Sequence, residues 1–94
     1  MSYILVNLRV KDFAKWKPFF DGMAANRKAN GSRGGHLMRS KDNPNELAIL
    51  FEWDDVEKGR RFYESAEFQR VAAEAGIIGK PEVHYLEELE RVSS

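Results

Sequence analysis

Apolar and polar residues alternate over residues 3–10: Ile4, Val6, Leu8 and Val10 fall on one side of the chain, and Tyr3, Leu5, Asn7 and Arg9 on the other. A period of two is the signature of a strand. The period then lengthens. Phe13, Trp16, Phe20, Met23 and Ala24 recur at three- and four-residue spacings, which predicts a helix with that stripe inward and Lys15, Lys17, Asp21 and Arg27 mostly outside it. Asp12 stands where an N-cap belongs, and Asn30 and Gly31 stand where a helix stops. Pro18 lies inside this stretch and would forfeit a helical hydrogen bond. Either the helix kinks there or residues 12–16 form a preliminary turn and Pro18 sits in the first turn of the main helix, the arrangement we favour.

The same grammar then repeats. A glycine-rich entry, residues 31–35, leads to a strand over 35–40, and the polar loop 41–45 joins it to a strand over 46–53. That third strand carries the unbroken run Leu47, Ala48, Ile49, Leu50, Phe51, the pattern of a strand apolar on both faces. Asp54 and Asp55 open a second helical stretch in which Val56, Gly59, Phe62 and Tyr63 share a face. Ser65 reads as an internal N-cap that starts a separate segment with Phe68, Val71, Ala72 and Ala75 inward, so a bend is expected at 64–66. Ala75 and Gly76 close it, Lys80 and Pro81 punctuate, and a strand follows over 82–89. The order βαββαβ specifies an α+β, ferredoxin-like sandwich: one domain over 1–94, a four-stranded antiparallel sheet in the order 4-1-3-2, and the helices on one face.

Two helical stretches cover only one face of such a sheet, while its strands look apolar on both. An uncovered apolar face is larger than a soluble monomer ordinarily exposes, and a symmetric second copy is its simplest cover. A homodimer through the sheet faces is therefore expected. Fifteen basic residues balance fifteen acidic ones, so no summed field draws the chain to nucleic acid or an anionic membrane. There is no cysteine, which removes disulfides and thiolate chemistry and fits a reducing compartment. The N-terminal apolar run is too short for a signal peptide or a membrane span, so the expected location is cytoplasmic.

Three segments, VKDFAKWKPFFD at 10–21, FEWDD at 51–55 and PEVHYLEE at 81–88, together resemble the dimeric α+β barrel superfamily, which includes the antibiotic biosynthesis monooxygenase-like proteins. The resemblance covers nearly the whole chain and implies the fold and the homodimer. It does not choose a reaction, because that superfamily holds cofactor-independent oxygenases, haem-degrading enzymes, isomerases and proteins without known catalysis. In haem-degrading and some oxygenase relatives, an asparagine at a place similar to Asn7 points into a cavity between sheet and helices. By parity this implies that Tyr3, Leu5, Asn7 and Arg9 face the helices, and that Ile4, Val6, Leu8 and Val10 face the partner. The haem version does not carry over: Phe62 stands at the position of the haem relatives' tryptophan and Ala72 at that of their ligating histidine, so no haem, and no cofactor, is expected.

Asn7, His36 and Glu52 are the candidate catalytic residues. Asn7 is an amide in mid-strand that needs partners if buried, supplied by a ligand or by backbone and water. His36 follows Gly34 and Gly35 at the mouth of a strand. It and His84 are the only histidines, and the strand order places them on opposite edges, roughly 14 Å apart, so no metal site is expected. Glu52 interrupts an apolar run, and is either an acid–base group or paired across the strands with Arg9 or Arg39. Tyr3, Trp16, Phe20, Phe62 and Tyr85 are the candidate lining of an aromatic-binding pocket.

Two functions fit. One is a small-molecule enzyme or binding protein, for which resemblance to the cofactor-independent oxygenases implies deprotonation of an aromatic or polyketide-like phenol by His36 or Glu52, with Asn7 orienting it. The other is a non-catalytic homodimeric module whose pocket is filled by its own aromatics. An open cavity of a few hundred Å3 with Asn7 on its wall would favour the first.

Overall fold

The computed structural model describes residues 2–94. Its elements run β1 (Ser2–Val10), α1 (Phe13–Gly22), α2 (Ala24–Asn30), β2 (Ser32–Arg39), β3 (Glu46–Trp53), α3 (Val56–Tyr63), α4 (Ala66–Glu74) and β4 (Ile77–Glu87). The strands form one antiparallel sheet in the order β2-β3-β1-β4, the expected split βαβ arrangement. Each helical stretch is a pair. Ser65 separates α3 from α4 as its chemistry requires, accepting from the Phe68 N–H at 3.1 Å and donating to the Phe62 carbonyl at 2.7 Å. The first stretch departs from expectation. Asp12 caps α1 through the Ala14 N–H at 2.9 Å, Pro18 sits inside α1, and the interruption falls at Met23. No preliminary turn precedes Pro18; the helix absorbs the missing bond and breaks later.

Two strands begin earlier than their sequence punctuation. β2 starts at Ser32 and passes through Gly34 in the left-handed region (φ 96°), with an irregular register between Ser32 and Gly35. β4 starts at Ile77 and runs through Gly79 (φ 71°) and Pro81, and its pairing with β1 shifts between Asn7 and Arg9. Proline is tolerated there because β4 is an edge. Gly59 lets α3 lie close on the sheet: a Cβ there would overlap Ile4 Cδ1 and approach Trp53 Cδ2 to 3.2 Å.

The core lies between the helices and one face of the sheet. Ile4, Val6, Leu8 and Val10 of β1 and Leu47, Ile49, Phe51 and Trp53 of β3 are buried there against Trp16, Phe62 and Tyr63. The parity implied by the resemblance is therefore reversed: the β-branched and aliphatic row of β1 faces the helices, and Tyr3, Leu5, Asn7 and Arg9 face away from them. The physical reason is desolvation. Helix cover excludes water, and a row carrying an amide and a guanidinium is costly to place under it, whereas the wholly apolar row is not.

The face away from the helices is open in the single chain. Register places His36, Leu50, Leu5 and His84 in one row across it, Met38, Ala48, Asn7 and Glu82 in the next, and Glu52, Tyr3 and Leu86 in a third. Its centre, Leu5, Ala48 and Leu50, is half-buried, while Met38, Leu86 and Ile78 at its margins are more than two-fifths exposed. Among the described residues, no helix is long and apolar enough to cross a membrane.

Candidate functional site

The sheet divides the candidate residues into two sets. Tyr3, Asn7, His36 and Glu52 occupy register positions on the open face; Trp16 and Phe62 are buried on the helix side, and Phe20 and Tyr85 pack against the same core. No single pocket unites them. Asn7 borders an open concavity of about 620 Å3 with Arg9, Met38, Glu46, Lys80 and Glu82, not the space beneath the helices. Glu52 pairs with neither expected arginine: Arg9 bridges Glu46 at 3.2 Å, and Arg39 crosses to the helix side, 4.5 Å over the Phe13 ring. Glu52 lies instead opposite Tyr3 in the β1–β3 register. The Tyr3 hydroxyl donates to Glu88 at 3.4 Å, and the Glu88 carboxylate, with smaller contributions from burial and Glu52, raises its pKa. His36 and His84 stand on opposite edge strands as expected, and the described residues contain no cluster of three metal-ligating side chains.

Beneath the helices, aromatic rings form a continuous chain. Phe13 meets Trp16 at 5.8 Å, Trp16 stacks on Phe20 at 4.9 Å, Phe20 on Phe51 at 6.2 Å, Phe51 meets Tyr63 at 6.3 Å and Tyr63 meets Phe68 edge-on at 5.0 Å. Beside them is a partly open cavity of about 50 Å3 whose walls are largely apolar, with Arg27 and Tyr63 as the residues that carry a charge or a hydroxyl. It holds little more than a water molecule or two, far below the roughly 300 Å3 of an ordinary ligand site. A wider groove of about 470 Å3 opens between α2 and β2, and Phe20, Arg27, Ile49 and Phe51 border both spaces. His36 contributes to the groove's rim. Gly35 lies at the same edge because its backbone crosses that of Leu50 too closely for any Cβ.

Arg27 and Tyr63 are the polar residues that sequence periodicity passes over. Arg27 was expected to point outward; instead it is half-buried, with its guanidinium 4.1 Å over the Phe20 ring and 5.4 Å from that of Phe51, and with one N–H donated to the Phe20 carbonyl at 2.9 Å. Its planar head stacks on aromatic faces while its stem covers apolar surface. Burial lowers its pKa, but an arginine remains charged at any ordinary pH. Tyr63 reads in the sequence as one more core aromatic. It is 4% exposed, and its hydroxyl has no hydrogen-bond partner. Burial pushes its pKa well above that of a free tyrosine, and the Arg27 charge pulls the other way. The Trp53 indole N–H is close enough to favour the ionised form, yet lies outside hydrogen-bond geometry and is itself without a partner. Tyr85 is turned to the helices beneath Arg60, 4.1 Å from its ring, and burial raises its pKa.

No family model matches the chain, and neither does any curated protein. Solved structures do. SnoaB, a cofactor-independent oxygenase from Streptomyces nogalater, is similar with a TM-score of 0.77 at 18% identity, over 99% of this chain and 97% of that one. A proposed antibiotic biosynthesis monooxygenase from Bordetella bronchiseptica gives a TM-score of 0.76 at 20% identity, over 95% and 97% of the two chains. Another from Caulobacter crescentus gives 0.72 at 23% identity, over 95% and 90%. Identities at this level speak for architecture: the chain has the ferredoxin-like α+β fold of the antibiotic biosynthesis monooxygenase-like proteins.

Proposed function

We propose that this chain is a homodimeric small-molecule-binding protein that takes a planar aromatic ligand between its helices and sheet, and that it oxygenates that ligand without a cofactor. The observation that supports the binding site is the largely apolar cavity with Arg27 and Tyr63 in its wall, which shares Phe20, Arg27, Ile49 and Phe51 with the neighbouring α2–β2 groove. A few placed polar groups in an otherwise apolar concavity is the ordinary form of a ligand site. The ligand displaces the half-exposed wall of Phe19, Phe20 and Met23 to enlarge the cavity. The oxygenase reading draws on the likeness of fold to SnoaB. In that reading the substrate, bound as its phenolate, supplies electrons from an activated CH2 to dioxygen. One oxygen atom becomes the new carbonyl and the other leaves as water. Of Asn7, His36 and Glu52, only His36 adjoins the groove, its strand register turns it to the open face, and none of the three lines the cavity itself.

The open face is the proposed dimer interface, with Leu5, Ala48 and Leu50 at its centre and Tyr3, Asn7 and Glu52 around them. Two such faces packed together place the sheets about 10 Å apart and cover apolar area that the single chain leaves to water.

The second reading, a non-catalytic module, is favoured by the volume of the cavity: the ring chain fills the helix–sheet space almost completely. Thermal-shift screening of planar phenols and phenolic ketones, followed by oxygen-uptake measurements on those that bind, separates the two. Ligands that stabilise the protein and consume oxygen in its presence are expected. Binding without oxygen uptake removes the enzyme and keeps the binding protein; no binding at all leaves the filled module.

A further inference from the structure

Arg27 has no direct ion-pair partner: Asp21, the carboxylate that acts on it, is bridged by Lys17. Among the described residues no carboxylate lies within salt-bridge distance of it, and unlike the exposed cations of the surface it is half-buried. It spends one N–H on the Phe20 carbonyl and has four more in a fixed planar fork. A half-buried cation against aromatic faces is deprived of much of its water, and an anion brought to it restores the lost interaction at short range. Tyr63, more than nine-tenths buried, lines the same cavity with an O–H that donates to nothing. Of the other thirteen lining residues twelve are apolar, and Trp16 adds a single indole N–H and no charge.

We propose that Arg27 and Tyr63 together form an anion-recognition pair, so that the ligand of this cavity is an aromatic acid or phenol bound in its ionised form, with its charged oxygen held by the guanidinium and the tyrosine hydroxyl and its ring among Trp16, Phe20 and Phe51. The inference rests on the helix–sheet cavity being the ligand site. No carboxylate or imidazole stands on the cavity wall, so the pair stabilises an anion the ligand brings rather than creating one by proton abstraction. The same charge that offsets part of the burial effect at the Tyr63 phenol favours ionisation of a ligand phenol placed beside it.

The experiment uses 2-naphthoate and its neutral isostere 2-naphthamide, titrated calorimetrically into the full chain at neutral pH. The wild type is expected to bind the anion about tenfold or more tightly than the amide, as charge-assisted hydrogen bonds in a partly desolvated site require. Arg27→Met keeps the apolar stem over Phe20; it should retain amide binding and lose the preference. Arg27→Lys keeps the charge and should recover most of it, and Tyr63→Phe should lower anion affinity several-fold without affecting the amide. If both probes bind equally to the wild type, or the preference survives Arg27→Met, the anion pair is overturned while the cavity reading stands. If neither probe binds, the cavity reading fails and the inference with it. Should Arg27→Met not fold, Arg27→Gln and Tyr63→Phe decide: an anion preference unchanged in both overturns the pair.

Discussion

Replacing Tyr63 by phenylalanine should make this protein more stable, the reverse of the usual effect of removing a buried tyrosine hydroxyl. That change ordinarily costs about 0.5–1.5 kcal/mol because a hydrogen bond is lost. Here no bond exists to lose: the oxygen is buried without a partner, and the desolvation it suffers, about 1–3 kcal/mol for an unsatisfied polar group, disappears with it. The ring keeps its contacts with Phe51, Trp53, Phe62 and Phe68, so little packing is forfeited. A net gain of about 1 kcal/mol follows, or about 4–8 °C in Tm for a chain of this size. The pH dependence carries an independent sign. Burial raises the Tyr63 pKa in the folded chain, so the folded form holds its proton while the unfolded form ionises near pH 10. The contribution is fully present below about pH 10 and is lost as pH rises, by up to about 1.4 kcal/mol per unit. The phenylalanine variant should lose that part of the alkaline slope, leaving the smaller part due to Tyr3 and Tyr85. Urea denaturation at neutral pH and at alkaline pH, with both proteins at one concentration, measures each quantity. A variant less stable than wild type by more than about 0.5 kcal/mol would show that the hydroxyl is bonded after all, with the Trp53 indole N–H as the nearest donor, and would refute the reasoning.

Gly59→Ala should destabilise by about 1–2 kcal/mol, because a Cβ overlapping the fully buried Ile4 costs more than the helix propensity of alanine returns; a variant as stable as wild type in urea would mean α3 shifts freely. Leu5→Asp should leave the chain folded by circular dichroism but yield a 10.8 kDa monomer by light scattering, whereas Val6→Asp, beneath the helices, should unfold it. Equal behaviour of the two variants contradicts the assigned faces, and a monomeric wild type contradicts the dimer. Ser65→Ala should cost about 1 kcal/mol through loss of the α4 cap; unchanged stability with unchanged helix content would show the bend is held by packing alone.

Some of this architecture is written locally and some is not. The break at Ser65 was legible because a serine hydroxyl ahead of an amphipathic run has its own hydrogen-bonding logic. The break at Met23 was not, since Pro18 is the louder signal and nothing in the methionine side chain marks a cap. The faces of β1 were legible in the residues themselves: an unbroken β-branched and aliphatic row belongs under helices, and only analogy through Asn7 pointed the other way. For Glu52, the sequence supplied two candidate arginines but not their register, and a strand pairing decides partners to the residue. Arg27 and Tyr63 were invisible for a different reason. Periodicity sorts side chains into inward and outward, and neither category describes a guanidinium lying along an aromatic wall or a core ring whose hydroxyl is stranded.

The irregularities of the two outer strands have a consequence for how copies of this chain can associate. An unpaired strand edge is a template for further strands, and an unbroken one invites open-ended stacking. Here β4 presents Pro81, which has no N–H to offer, behind the register shift at Gly79. At the other rim, β2 is dislocated between Ser32 and Gly35 and flanked by Arg33 and Arg39. Both margins resist the addition of another ribbon. Growth along the hydrogen-bonding direction, the route to fibres, is discouraged at each end of the sheet, and what remains for the proposed self-association is the broad open flank, where a two-fold pairing would close on itself.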